Sequence, residues 1–240
     1  MNFKRAFKMK SYLKASILIG VMASMIGCDK FTDIHQDFID SGEIIYAPKL
    51  DSVAVYAGNN RVKVGLWYFN GHHLKSTLIR WNNNQDSMLV NLEEYAIQSG
   101  RDSIEVVIPN LIQNAYSFTL QNIDIHSSRS LTTSAFGSAY GEDFQSTLIN
   151  RRIRNVANHG SEGFAIEWLA SEETMVAVEI KYVEENTQLE RIIRRPVESQ
   201  SNLMVVPYQG RFTYRGLFLP ETSAVDTFYT EWSDIIQLPQ

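Results

Sequence analysis

From Asp51 onward the chain alternates in short bursts. In RVKVGLW, Val62, Val64 and Leu66 share one parity while Arg61, Lys63 and Gly65 share the other, the pattern of a half-buried antiparallel strand. Runs of the same kind follow as STLIRW, DSIEVVIPNL, AYSFTLQNIDI, GFAIEWLA, TMVAVEIKYV, QLERIIRR, NLMVVPY and RFTYRGLFL. They are rich in Val, Ile, Tyr, Phe and Trp and are separated by polar turns. No long amphipathic helix interrupts them, so the pattern predicts an all-β protein. The segment LVNLEEYAIQ alone leaves a helical turn open as an alternative.

An internal repeat organises these strands. Residues 66–81 laid over 167–182, an offset of 101, place Trp67 on Trp168, Leu74 on Met175, Ile79 on Ile180 and Trp81 on Tyr182. Ile104, Val106 and Val107 meet Leu203, Val205 and Val206 at an offset of 99. A period of about 100 residues is the size of one immunoglobulin-type sandwich, so two tandem copies are expected rather than one large sheet pair. Under this reading Trp67, Trp168, Tyr116 and Tyr214 are core residues.

The amino terminus has a different character. Lys4, Arg5, Lys8, Lys10 and Lys14 precede an apolar run from Ala15 to Gly27, the layout of a secretory signal. That run is shorter than the about 20 residues needed to cross a bilayer. It ends in Met25-Ile26-Gly27-Cys28, which resembles the bacterial lipobox, and Cys28 is the single cysteine of the chain. A lone thiol cannot form an internal disulfide, so a lipidated Cys28 is expected, followed by an acidic tether. The organisation read from the sequence is a signal peptide over 1–27, a tether over 28–45, a first sandwich over 46–141 and a second over 142–240. Loss of residues 1–27 would remove five positive charges and no negative ones, moving the formal net charge from −5 to −10. Nucleic acid is then an unsuitable partner.

Catalytic signatures are missing from the sequence. It contains no His-Glu-x-x-His, Gly-x-Ser-x-Gly, phosphate-binding glycine loop or cysteine cluster. No catalytic residue, metal ligand or cofactor is therefore expected. The adjacent pairs Glu93-Glu94, Glu172-Glu173 and Glu184-Glu185 do not supply the separation across a cleft that a glycosidase needs. His72-His73 would point to opposite faces of a strand and could meet one metal only in a turn. Aromatics make up 11% of the chain, and sugar-binding proteins stack pyranose rings on exposed aromatic faces. Tyr68, Phe69, His72, His73 and Trp81, near polar turns of the first copy, form the candidate ligand platform. Two basic clusters stand out: Arg151-Arg152-x-Arg154 at the connection, and Arg191 with Arg194-Arg195. Arg151 and Arg152 are added to the candidate ligand residues, for acidic sugars or a protein partner; neutralisation of the junction is the competing explanation. Asp51-Ser52-Val53, Asp86-Ser87-Met88 and Asp102-Ser103-Ile104 resemble O-glycosylation sites of exported bacterial proteins.

Two resemblances extend this reading. In IEVVIPNLIQNAYSFTLQNID, Leu111 precedes a polar turn and Tyr116 opens the next strand, which resembles the tyrosine corner of fibronectin type III domains. It implies a phenol oxygen bonded to backbone upstream. GEIIYAPKLDSVAVYAGNNRVKVGLWY (42–68), YGEDFQSTLINRRI (140–153) and YRGLFLPETSAVDTFYTEW (214–232) together resemble a family of surface lipoproteins from Bacteroidetes-type bacteria. That family is a domain of unknown function, often encoded beside SusC/SusD-like outer-membrane glycan-uptake systems. WYFNGHH departs from the family's single Trp in the second strand, so no role for that loop is inherited. The resemblance implies tandem fibronectin-like domains, a lipid anchor in the outer membrane at the cell surface or its periplasmic face, and polysaccharide or uptake proteins as partners. The expected function is a non-catalytic binding or spacer module. A surface adhesin or assembly component with a protein partner is the alternative.

Overall fold

The computed structural model describes residues 46–160, 163–198, 201–204 and 207–239, with backbone alone for 201–204, 207 and 208. The signal peptide, Cys28 and the tether lie outside the described residues. Residues from Tyr46 onward form one compact unit built on two hydrophobic cores.

In the first lobe, β1 (Ser52–Asn59), β2 (Arg61–Phe69) and β5 (Arg101–Pro109) pair antiparallel. They face β3 (Leu74–Trp81), β4 (Asp86–Asn91), β6 (Asn114–Asp124) and β7 (Thr133–Tyr140), ordered β4-β3-β6-β7. A short parallel pairing, Gly58 with Ala139 and Asn59 with Tyr140, stitches β1 to β7. Val62, Val64, Leu66, Ile104, Val106 and Ile108 pack from one side against Ile79, Tyr116, Phe118 and Leu120 from the other. This is the face-to-face packing that strand alternation predicts. Leu111 is buried and Tyr116 donates its hydroxyl to the Ile112 carbonyl at 2.7 Å, the expected corner. LVNLEEYAIQ resolves into the end of β4 and a 3-10 turn over Leu92–Tyr95.

Helix α1 (Glu142–Thr147) leads into the second lobe. There β8 (Ile153–Asn158), β9 (Phe164–Trp168) and β12 (Ser201–Met204) form one sheet in the order β12-β9-β8. The other contains β10 (Met175–Glu184), β11 (Glu190–Pro196), β13 (Pro207–Phe218), β14 (Phe228–Tyr229) and β15 (Ile236–Gln237). Phe164, Ile166 and Trp168 meet Val178, Ile180, Phe212, Tyr214 and Phe218 in the core. The architecture is two tandem fibronectin type III-like sandwiches.

The repeat holds for β3 and β10, where Leu74 and Met175 open the strands and Ile79 and Ile180 are fully buried. It fails at the tryptophans. Trp168 points inward, 4% exposed, whereas Trp67 is half-buried on the outer face of β2. Tyr68 takes the inward place, continuing the parity of Val62, Val64 and Leu66. Six positions separate Tyr68 from Leu74 and seven separate Trp168 from Met175. A one-residue difference reverses every side chain of a strand. The expectation that Trp67 is a core residue is therefore corrected. Its indole lies over Gly65, where a Cβ would stand 2.6 Å from the ring.

The lobes are joined by more than the chain. Tyr140, Phe144 and Phe228 form an edge-to-face trio, with Tyr140–Phe144 and Phe144–Phe228 centroids each 5.1 Å apart. Tyr140, the last residue of β7, thus packs against the second core. Asp226 accepts from Arg61 Nε at 2.8 Å and Nη2 at 2.6 Å, and from the Asn59 amide at 2.8 Å. The Val225 amide donates to the Ala57 carbonyl at 2.8 Å, and Tyr140 donates its hydroxyl to Glu221 at 3.1 Å.

The Arg61 hydrogen bonds hold the Asp226 carboxyl below its ordinary pKa, outweighing the opposite effect of its burial. Its stabilising contribution is complete above the unfolded carboxyl's pKa of about 3.9 and is lost as pH falls through the lower folded value. We expect Asp226→Ala to cost about 1–2 kcal/mol, the solvent exposure of Arg61 reducing the larger figure for a fully enclosed charged bond. Denaturant titration checks the loss, and faster hydrogen exchange at the Asn59 amide localises it. Asp226→Asn should flatten the stability decline below about pH 4.

Candidate functional site

The residues expected to form a ligand platform do not converge. Tyr68 is 1% exposed and its hydroxyl lies 2.9 Å from Thr77 Oγ1. The single Thr77 proton goes to Asn122 Oδ1 at 2.7 Å, so Tyr68 is the donor in a buried polar chain. Burial raises its pKa. Tyr68 is a core residue, and its place in a surface platform is corrected. Phe69 is 55% exposed at the end of β2. His72 and His73 sit exposed in a 3-10 turn over Gly71–His73, ring centroids 3.9 Å apart. Trp81 ends β3, about seven residues or roughly 23 Å along an extended strand from that turn. Half-buried, it packs near Phe118 at 6.3 Å and lines a separate hollow with Asn82, Asn83 and Asn84.

Arg151 and Arg152 point differently, as adjacent residues of an extended segment must. Arg151 is 7% exposed, donates from Nε to the Leu169 carbonyl at 2.8 Å and from Nη1 to the Val197 carbonyl at 3.0 Å, and stands 5.8 Å above the Trp168 ring. Burial lowers its pKa. Its own carbonyl accepts from Tyr214 Oη at 2.8 Å. Arg152 is exposed. In the second cluster, Arg191 pairs with Glu184 and Arg194 with Glu179.

A concavity of about 770 Å³ lies between the lobes. One side is the Asn59-Asn60 turn between β1 and β2, with Asn60 in the left-handed region at φ 51°. Helix α1 contributes Glu142, Gln145 and Ser146, and the chain between α1 and β8 contributes Ile149 and Asn150. The far side is Tyr229, Thr230, Glu231 and Trp232.

This wall is braced. Asn150 Oδ1 accepts from Thr230 Oγ1 at 2.6 Å and the Gly216 amide at 2.9 Å, and its Nδ2 donates to the Glu231 carbonyl at 3.0 Å. The Arg215 guanidinium stands 4.1 Å from the Tyr229 ring centre and 4.6 Å from that of Trp232, and Lys181 Nζ is 4.4 Å from Trp232. Arg215 is held by the buried Glu179, which also takes Arg194. Burial would raise the Glu179 pKa, but hydrogen bonds and charge from Arg194 and Arg215 leave it below the ordinary value. The groove therefore offers amides, hydroxyls, two carboxylates and two fixed aromatics. Hydrogen bonding and stacking are the chemistry such a surface performs. Among the described residues no cluster of three or more His, Cys, Asp or Glu could hold a metal.

Residues 28–228 match a domain of unknown function. The chain belongs to the DUF4998 family. Comparison with curated proteins gives no match for this DUF4998 chain. Among solved structures it is similar to the FN1–FN3 domains of chicken CNTN1, at 10% identity and a TM-score of 0.46, covering 80% of this chain and 64% of that one. It is also similar to dimeric latent PorU from Porphyromonas gingivalis, at 12% identity, a TM-score of 0.32 and coverage of 80% and 20%. A two-domain fibronectin type III segment of chicken tenascin matches at 10% identity and 0.28, with coverage of 78% and 98%. The DUF4998 chain thus spans less than two thirds of the first two, and these scores carry no statement about its ligands or partners.

The groove residues are drawn from three distant stretches, and single-residue signals such as Asn59-Asn60 did not mark them as a set.

Arg151→Ala should destabilise the second lobe by about 2–3 kcal/mol, because two carbonyls lose a charged donor. Calorimetry reads the loss. Tyr68→Phe should cost about 1–2 kcal/mol by leaving Thr77 without its donor, with no effect on ligand binding.

Proposed function

We propose that the protein is a non-catalytic binding module held at the outer membrane by a lipid on Cys28, and that its inter-lobe groove takes a short stretch of polysaccharide. The observation that carries this is the braced wall: Tyr229 and Trp232 held by Arg215 and Lys181, facing a row of amides across a groove of about 770 Å³. Sugars offer vicinal hydroxyls that both donate and accept, which Asn, Gln and Glu side chains match, and apolar C–H faces that suit aromatic rings. Fixing the wall before binding removes part of the ordering cost. The sequence resemblance to surface lipoproteins encoded beside glycan-uptake systems supports the same reading and its location at the cell surface.

Screening residues 29–240 on a glycan array should return oligosaccharide ligands. Asn60→Gly keeps the left-handed turn and Gln145→Ala touches only an exposed side chain, so each should weaken binding about fivefold without changing the melting temperature. Unchanged affinity in both variants would reject the groove as the site. For the anchor, Cys28→Ser should abolish palmitate incorporation and release the protein from the membrane fraction.

A further inference from the structure

The chain from Ile149 to Arg154 passes from the groove into a second hollow. Ile149 and Asn150 line both, so the two concavities are neighbours along one edge of the molecule. The second hollow measures about 410 Å³, and Arg151, Arg152 and Arg154 all line it. Their three guanidiniums share this stretch with one lining carboxylate, Glu172, the Arg151 group turned inward and those of Arg152 and Arg154 exposed, in a chain whose formal net charge is −5.

These guanidiniums are poorly neutralised. Arg151 is buried, and its two hydrogen bonds go to carbonyls rather than to a carboxylate. Burying a cation without an opposite charge is unfavourable, and a bound anion would relieve it. Arg152 is exposed and has no ion-pair partner among the described residues. Arg154 stands at a bulge, where β8 slips one residue against β9 between Ile153 and Asn155. Its ion pair with Glu167 is long, 3.5 Å, and well exposed, so it is readily exchanged. Guanidinium forks match the paired oxygens of carboxylates and sulfates.

We infer that the hollow lined by Arg151, Arg152 and Arg154 is an oxyanion subsite, and that the groove's ligand is a glycan carrying carboxylate or sulfate groups. The inference rests on the groove reading and adds the charge of the ligand. Glu142 and Glu231 line the groove, while the arginines gather at the hollow. That division orients an anionic chain, with an uncharged unit against Trp232 and a charged substituent past Asn150. Arg151 shapes the site from within, and Arg152 and Arg154 supply the accessible donors.

The test compares full-length mature protein with the double variant Arg152→Gln/Arg154→Gln, whose substitutions are at exposed positions. Probes are an uncharged maltohexaose, an oligogalacturonate and a sulfated chondroitin hexasaccharide, titrated by calorimetry, with inorganic sulfate followed separately by NMR at the arginine Nε signals. The expected result is at least tenfold preference for one charged probe over the uncharged one, decreasing with salt and abolished in the double variant. Whether the uronate or the sulfate probe prevails identifies the oxyanion. Equal binding of charged and uncharged probes would overturn the subsite and leave the groove reading intact. Sulfate shifting the arginine signals while no oligosaccharide binds would keep the oxyanion site and overturn both the groove and the glycan part of this inference. A charged preference that survives the double variant would overturn the assignment to these arginines.

Discussion

The Asp226 carboxylate takes three N–H donors from residues on either side of the β1–β2 turn, and Gly58 leaves room for it: a Cβ there would stand 2.7 Å from Asp226 Oδ2. Beside it, Val225 adds a backbone bond to Ala57. The Asn59-Asn60 side of the groove is thereby fixed to the lobe that carries Tyr229 and Trp232. Two sandwiches linked only by a flexible peptide would present these walls at no set separation. The groove exists because short polar contacts and the aromatic trio act together, one giving direction and the other apolar burial.

Behind the far wall, charge does the positioning. Glu179 is buried on the outward side of β10 and is tolerated there because Arg194 and Arg215 both reach it. Arg215 then extends to two rings, converting an ion pair into a support for aromatic side chains. The same residue types in the Arg151 segment are used otherwise, one sealed against carbonyls and two left toward solvent. The two basic clusters that look alike in sequence therefore differ in kind: in one, Arg191 and Arg194 are neutralised within their sheet, while the other is paired only loosely.

Much of the fold was legible. Alternation in RVKVGLW gave the correct face for Val62, Val64 and Leu66, and continuing it two residues would have placed Tyr68 inside and Trp67 outside. Identity pairs Trp67 with Trp168 but parity does not, because the turn that follows differs by one residue between the two copies. Tyr116 and Leu111 were readable because their roles depend on local spacing. The groove was not, since Asn59, Gln145, Asn150 and Trp232 are brought together by the docking of lobes, which no local pattern encodes. His72, His73 and Trp81 are near in sequence, but β3 runs between them and a strand extends its ends apart.

Tyr140 closes β7 of one sandwich while its ring rests on Phe144 and Phe228 of the other. An excision between positions 141 and 142 would keep each set of strands whole, yet would strip the carboxy-terminal half of an aromatic its interior relies on and leave that ring stranded in water on the remaining piece. Recombination or engineering that treats the halves as interchangeable beads must carry this residue across with its neighbour.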